Sequence, residues 1–233
     1  MATTVKTREA RTMDDEIEAI AALGDPVRRK LYEVVVAEGR PVGREEAAAG
    51  AAVPLHTARF HLDRLVEEGL LEVEYRRLTG RSGPGAGRPA KLYRRSAREV
   101  AVSLPRRNYD LVGSILAAAV ERSLEGGELA EALRQEARAR GRKVGTAYAE
   151  SAGAELERTA TALAGEGFEP TVADEEVCLR NCPFDSLARA HTQLVCGVNL
   201  GFVGGVVEGL GCSGVEARLA PAEDRCCVVV AAH

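Results

Sequence analysis

Between Pro54 and Ser96 the chain sets one amphipathic helix against a basic hairpin. Leu55, Ala58, Leu62, Leu65 and Val66 form an apolar stripe along Pro54–Glu68, leaving His56, Thr57, Arg59, Phe60 and Asp63 on or near the opposite face. Gly69 stands where a left-handed helix terminator is wanted. LLEVEYRRL then alternates as a strand, RSGPGAGRPA forms a turn-rich tip, and KLYRRS alternates back. Upstream, DEIEAIAALGDPVRRKLYEVVVAEG carries Ile17, Ile20, Leu23, Val27, Leu31, Val34 and Val35 at helical spacing. Asp25 is a ready N-cap, Pro26 suits the first helical position, and Gly39 ends the segment before a short helix at Arg44–Ala51. Two helices, a short turn, a third helix and a hairpin describe a winged helix-turn-helix.

The formal net charge of −4 hides an uneven distribution. Residues 1–107 hold 20 Lys and Arg against 16 Asp and Glu, net +4, which leaves 11 against 19, net −8, for the remainder. Within Arg76–Arg107 ten basic residues meet a single acid, Glu99, so this stretch is the expected phosphate-binding surface. A recognition helix reads base edges from its exposed N-terminal face, which assigns readout to His56, Thr57, Arg59 and Phe60. Arg64, Arg76, Arg77, Arg81, Arg88 and Lys91 are cast as phosphate or minor-groove contacts. The glycines of SGPGAGRP do not make a nucleotide loop, because no Gly-Lys-Ser/Thr follows and no helix opens there. The expected partner is a double-stranded DNA operator.

After Pro105 the sequence turns to Ala/Leu-rich amphipathic segments, Tyr109–Leu124, Glu128–Tyr148 and Ala154–Glu166, expected to be bundle or dimerisation helices. From Phe168 a mixed pattern follows: a strand around Val172–Leu179, one or two helices over Phe184–Leu210, and strands in GVEARLAP and CCVVVAA. The fold class is therefore mostly α within α+β. The expected organisation is a flexible 1–14, a winged helix-turn-helix over 15–105, a helical dimerisation segment over 106–167 and a small α+β cysteine-rich sensor domain over 168–233. No stretch of about eighteen apolar residues occurs and the N-terminus lacks an apolar signal core, so a cytoplasmic protein with no membrane association is expected. A homodimer is expected because two operator half-sites need paired recognition helices and Tyr109–Leu124 has an apolar face to join them.

All six cysteines, Cys178, Cys182, Cys196, Cys212, Cys226 and Cys227, lie in the last third. Clustered thiols in a reducing compartment point to metal or redox chemistry rather than structural disulfides. Thiolate is a soft ligand suited to iron–sulfur clusters and zinc. An enzyme is not expected, since neither a CxxC pair nor an activated nucleophile with an orienting base is visible. If Cys226 and Cys227 lie on a strand their side chains oppose each other, so one of the two joins a common site; Cys226 is preferred, with Cys227 its rival. Cys212, in GLGCSG, reads as a small turn-adjacent residue.

LGDPVRRKLYEVV followed by TARFHLDRLVEEGLLE resembles the ArsR-type winged-helix repressors, in which a His-Leu pair like His61-Leu62 precedes a Gly-Leu. CLRNCPF, continuing through SLARAHTQLVCGVNLGFVGGVVEGLG to DRCC, is similar to the sensor half of SufR-like iron–sulfur regulators, which join such a domain to an ArsR-type one. That resemblance implies a regulator, expected to be a repressor, that senses iron–sulfur or redox status. It implies a cluster of the 4Fe–4S type on Cys182, Cys196 and Cys226, with Cys178 or another residue as fourth ligand. Zinc or a small ligand in an interaction domain is the alternative occupant.

Overall fold

The first helices begin where side chains satisfy open backbone amides. In the computed structural model, which describes residues 12–77 and 89–233, Thr12 caps α1 (Met13–Ala22) in a capping box with Asp15. Asp25 caps α2 (Pro26–Ala37), accepting from the Val27 and Arg28 amides at 2.9 Å each. β1 (Val42–Gly43) leads into α3 (Arg44–Ala51), which stops at Ala52 in the left-handed region, φ 56°. The turn delivers α4 (Leu55–Glu67), and Gly69, φ 71°, ends it before β2 (Leu71–Arg76) and β3 (Ala90–Arg95). The three strands pair antiparallel in the order β1-β3-β2, with Val73 opposite Tyr93 and Tyr75 opposite Lys91.

The chain divides into two compact units, one running to Val102 and the other spanning Ser103–His233. In the first, Leu31, Val35, Leu62, Leu65, Leu71 and Tyr93 pack with a set of alanines as the core. Ile17 and Ile20, expected on the buried stripe of α1, are 42% and 45% exposed, while Ala19 and Ala22 are buried instead. The alanine edge of α1 is turned inward, where small side chains allow close approach to α4.

The second unit places α5 (Tyr109–Leu124), α6 (Leu129–Ala147) and α7 (Glu155–Gly165) beside the hairpin β4 (Pro170–Ala173) and β5 (Glu176–Leu179). Then come α8 (Asp185–Ala190), α9 (Thr192–Gly209), β6 (Val215–Leu219) and β7 (Val228–Ala232). The strands form an antiparallel sheet of order β4-β5-β7-β6. The strand expected around Val172–Leu179 is a hairpin, broken by Asp174 and Glu175 at φ 50° and 60°.

α6 and α9 touch backbone to backbone: a Cβ added to Gly141, Gly145, Gly205 or Gly209 would collide with main-chain atoms of the facing helix. Arg138 and Arg142 of α6 pair with Glu208 of α9 across the rim of this contact. One core contains Val112 and Ile115 of α5, Leu163 of α7, Phe168, Phe184, Phe202 and Val230. The helices set apart in sequence as 106–167 therefore share their core with the cysteine-bearing 168–233. Among the described residues no helix is long and apolar enough to cross a membrane.

Candidate cysteine site and nucleic-acid interface

Three segments meet around the N-terminal half of α9. Cys182 follows β5, Cys226 and Cys227 precede β7, and α9 itself contributes Cys196 and, one turn on along the same face, Asn199. Sγ of Cys226 accepts from the Cys182 thiol and from the backbone N–H groups of Val228 and Cys227. Asn199 Nδ2 donates to the same sulfur at 3.1 Å. Sγ of Cys196 and Sγ of Cys227 stand at disulfide-bonding distance, with Cα atoms 6.7 Å apart. Cys226 and Asn199 are each 1% exposed. Asn199 Oδ1 is buried without a hydrogen-bond partner.

The hydrogen bond from Cys182, helped by those from the backbone and Asn199, outweighs burial and brings the Cys226 thiol down to about 7. The same contact, with burial and the charge on Cys226, pushes Cys182 up. The contact therefore favours loss of the first proton of the couple from Cys226 and retention of the one on Cys182.

Strand alternation was expected to let one of Cys226 and Cys227 reach a common site. Both cysteines lie before β7 begins at Val228, so alternation does not separate them, and both sulfurs reach α9 partners. Cys178 is not brought to these four sulfurs: between Val177 and Leu179, both buried, it shares the other face of β5 with Glu176. There it donates to the Glu176 carboxylate at 3.1 Å and accepts from Arg225 at 3.1 Å. The Glu176 contact, with burial, raises its thiol. Cys212 is buried near the Glu155 carbonyl, away from the site, and burial raises it too. Among the described residues no three His, Cys, Asp or Glu side chains are arranged as they stand to hold a metal ion.

The loop bearing Cys182 is anchored by Asn181. Its Oδ1 accepts from Arg107 at 2.5 Å, and its Nδ2 donates to the carbonyls of Arg106 and Gly167 at 2.8 and 2.7 Å. Arg107 also donates to the Cys182 carbonyl at 2.8 Å, and the Asn108 amide donates to the Pro183 carbonyl at 3.1 Å.

In the first unit α4 presents His56, Arg59 and Phe60 to solvent, Phe60 at 67% exposure, while Thr57 is half-buried. With Arg28 of α2 and Arg44 of α3, His56, Arg59 and Phe60 line one concave surface. Lys91 pairs with Asp63 of α4, and the Tyr93 hydroxyl donates to the same carboxylate at 2.9 Å, so Lys91 ties hairpin to helix. Burial raises the Asp63 carboxyl, but Lys91 and Tyr93 more than offset it and leave it below the ordinary aspartate value. Arg64 pairs with Glu67 and Glu68, and Arg76 with Glu74. Arg77 is exposed, and Arg81 and Arg88 lie outside the described residues.

Residues 23–74 match the family model of a helix-turn-helix domain. No curated protein and no solved structure matches the chain. The matched span runs from the end of α1 through α4 into β2 and contains every residue assigned to base readout. A domain of this type supports a DNA-binding transcriptional regulator.

Sequence reasoning missed Asn199, Cys227 as a partner of Cys196, and Arg28 and Arg44 beside the reading face. Asn199 had a visible signal, a lone amide within VCGVNLGFVGGVV. The two arginines had none, because their approach to α4 depends on how three helices cross.

Proposed function

We propose that the chain is a homodimeric DNA-binding regulator, acting as a repressor, whose second unit binds an iron–sulfur cluster of the 4Fe–4S type. The observation that carries this reading is that Cys182 meets buried Cys226 while Cys196 of α9 reaches Cys227, the next residue along, so that three segments bring four sulfurs together as two adjoining pairs. Soft sulfur donors and N–H groups directed at Cys226 suit an iron–sulfur centre. When bound, the centre supplies a redox- and oxygen-labile group whose loss is the signal.

The residues themselves do the rest. Cys182, Cys196 and Cys226 hold the group, with Cys196 released from Cys227. Cys178 is the candidate fourth ligand and would have to leave Glu176 and Arg225 to serve. The Cys182 contact, with Asn199 and the amides of Val228 and Cys227, favours the ionised form of Cys226. Arg107, Asn108 and Asn181 tie the Cys182 loop to residues 106–108, the start of this unit, so order in the loop is order in the segment that continues the chain from the winged domain. Dimerisation is assigned to α5, which buries Leu111, Val112 and Ile115 in its own unit and leaves Val120 and Leu124 exposed for a second copy. Paired reading helices would then meet two operator half-sites.

The test is anaerobic purification with a visible spectrum and iron, sulfide and zinc analysis, then light scattering and operator selection with and without the bound group. Broad visible absorption with matched iron and sulfide, lost in Cys182→Ser and Cys196→Ser, is the expected result. Colourless protein with stoichiometric zinc would replace the cluster by a zinc-stabilised interaction domain.

A further inference from the structure

We propose that Cys227 and Cys196 form a peroxide-responsive thiol pair, a modification site distinct from the Cys182–Cys226 couple. The sulfurs stand at bonding distance, and the 6.7 Å between Cα atoms lies within the span a disulfide bridges without backbone movement. The neighbouring thiols are committed elsewhere: Cys182 donates to Cys226, Cys178 is held by Glu176 and Arg225, and Cys212 lies against Glu155.

Exposure sets the order of events. Cys196 is 7% exposed, on a buried face of α9, whereas Cys227 is half-buried on the loop before β7. The Cys227 thiolate therefore meets a peroxide first. Its sulfur attacks one oxygen, the O–O bond breaks, and a sulfenic acid forms as hydroxide leaves and is protonated to water. The Cys196 thiolate then attacks the Cys227 sulfur and expels the second hydroxide, again protonated to water. Two thiols and one peroxide become one disulfide and two waters, the sulfurs losing the two electrons that the peroxide gains. A dithiol reductant reverses the change.

The consequence rests on the cluster reading. Cys196 cannot ligate iron while bonded to Cys227, so peroxide would hold the metal-free chain in a state that refuses a new cluster until it is reduced. Cys227 would thus make cluster rebuilding conditional on a reducing environment.

The experiment uses the full-length, reduced, metal-free chain under anaerobic conditions. One equivalent of hydrogen peroxide is added, free thiols are alkylated, and the protein is digested without reductant and mapped by mass spectrometry. A linked Cys196–Cys227 peptide is expected, with the other four cysteines alkylated. In Cys196→Ser, Cys227 is expected to be trapped as a dimedone adduct, and in Cys227→Ser Cys196 is expected to stay reduced. Alkylated Cys196 and Cys227 after peroxide, with oxidation elsewhere, would overturn the pair.

A second arm adds ferrous iron and sulfide. Oxidised native chain should lose iron uptake until dithiothreitol is added, while Cys227→Ser should take up iron regardless of peroxide. Loss of uptake by reduced Cys227→Ser would make Cys227 a ligand and overturn the switch. A mapped disulfide in a chain that binds no iron in any state would leave the modification site standing and remove the cluster reading alone.

Discussion

Replacing Asn181 by alanine should loosen the Cys182 loop and the start of the second unit together. Asn181 is 5% exposed, and its amide makes three hydrogen bonds, one from the Arg107 guanidinium and two to the carbonyls of Arg106 and Gly167. A neutral bond of this kind is worth about 1 kcal/mol and a charged one about 2 kcal/mol, so the substitution should cost the unit about 4 kcal/mol. At ~3 °C per kcal/mol for a domain of this size, the corresponding fall in Tm is about 12 °C. Guanidinium unfolding of the full chain, followed by circular dichroism, measures the loss. Hydrogen exchange locates it: amides of residues 104–110 and 180–184 should lose protection in parallel, because Arg107 and Asn108 bind the carbonyls of Cys182 and Pro183. A loss below about 1 kcal/mol would mean that water replaces Asn181 at no cost and that the loop is not anchored there. Protection lost at 180–184 alone would refute the mechanical link to the incoming chain.

Further perturbations separate the remaining claims. Gly205→Ala should destabilise the second unit by about 2 kcal/mol through overpacking against the α6 backbone. Gly204→Ala, one residue earlier with open space around it, should stabilise it by about 0.5–1 kcal/mol; a shared sign in thermal unfolding would discredit the close helix contact. Asp63→Asn should flatten the acid limb of first-unit stability: the folded carboxyl sits below its unfolded value, so its contribution is present above about pH 4 and fades as pH falls through the depressed value. Because both partners are about a third exposed the effect should stay within about 1 kcal/mol, and an unchanged pH profile would argue against the clamp. Arg59→Ala should cost about 1–3 kcal/mol on the selected operator and less on random duplex; equal losses in titrations of both would make Arg59 a phosphate contact. Asn199→Leu should leave the metal-free unit as stable or about 1 kcal/mol more stable, since it removes a buried acceptor without a partner. Alkylation of Cys226 near neutral pH should slow in the same variant, and an unchanged rate would remove Asn199 from the site.

Periodicity and caps made most of the elements readable in advance. Tyr109–Leu124 is α5 end to end, and the Asp25-Pro26 start of α2 is the cap that the structure uses. What escaped depends on partners distant in sequence. Gly141, Gly145, Gly205 and Gly209 weaken a helix taken alone, and their value appears only when two helices approach to backbone contact. Ile17 and Ile20 carried the stronger apolar signal, yet the alanines faced inward because small side chains suit the closeness of α1 and α4. Lys91 is indistinguishable by sequence from its basic neighbours, and only the hairpin register sets it against Asp63. At the cysteine site, the resemblance singled out Cys182, Cys196 and Cys226 but gave no sign of the Cys196–Cys227 pairing, and whether Cys226 and Cys227 diverge turned on β7 starting after them.

The Cys226 neighbourhood is a poor arrangement for a purely structural core. Two thiols, one of them with a lowered pKa, and a buried amide with one unpartnered oxygen lie among Phe184, Val195 and Val228, where apolar side chains would pack without any desolvation cost. A fold that needed only stability would gain by replacing Asn199 and Cys226 with aliphatic residues. The polar groups instead converge from α9, the loop after β5 and the loop before β7, and each segment is held by contacts of its own: Asn181 on one side, and the Cys226 amide bonded to the Leu179 carbonyl at 2.8 Å on the other. Independent supports for a costly polar cluster are what the proposed binding site would require, because its sulfurs would have to stay in reach of one another before any group is bound. The same reasoning sets Cys178 apart: held between Glu176 and Arg225 on the far face of β5, it has a paired environment to give up before it could join the other sulfurs.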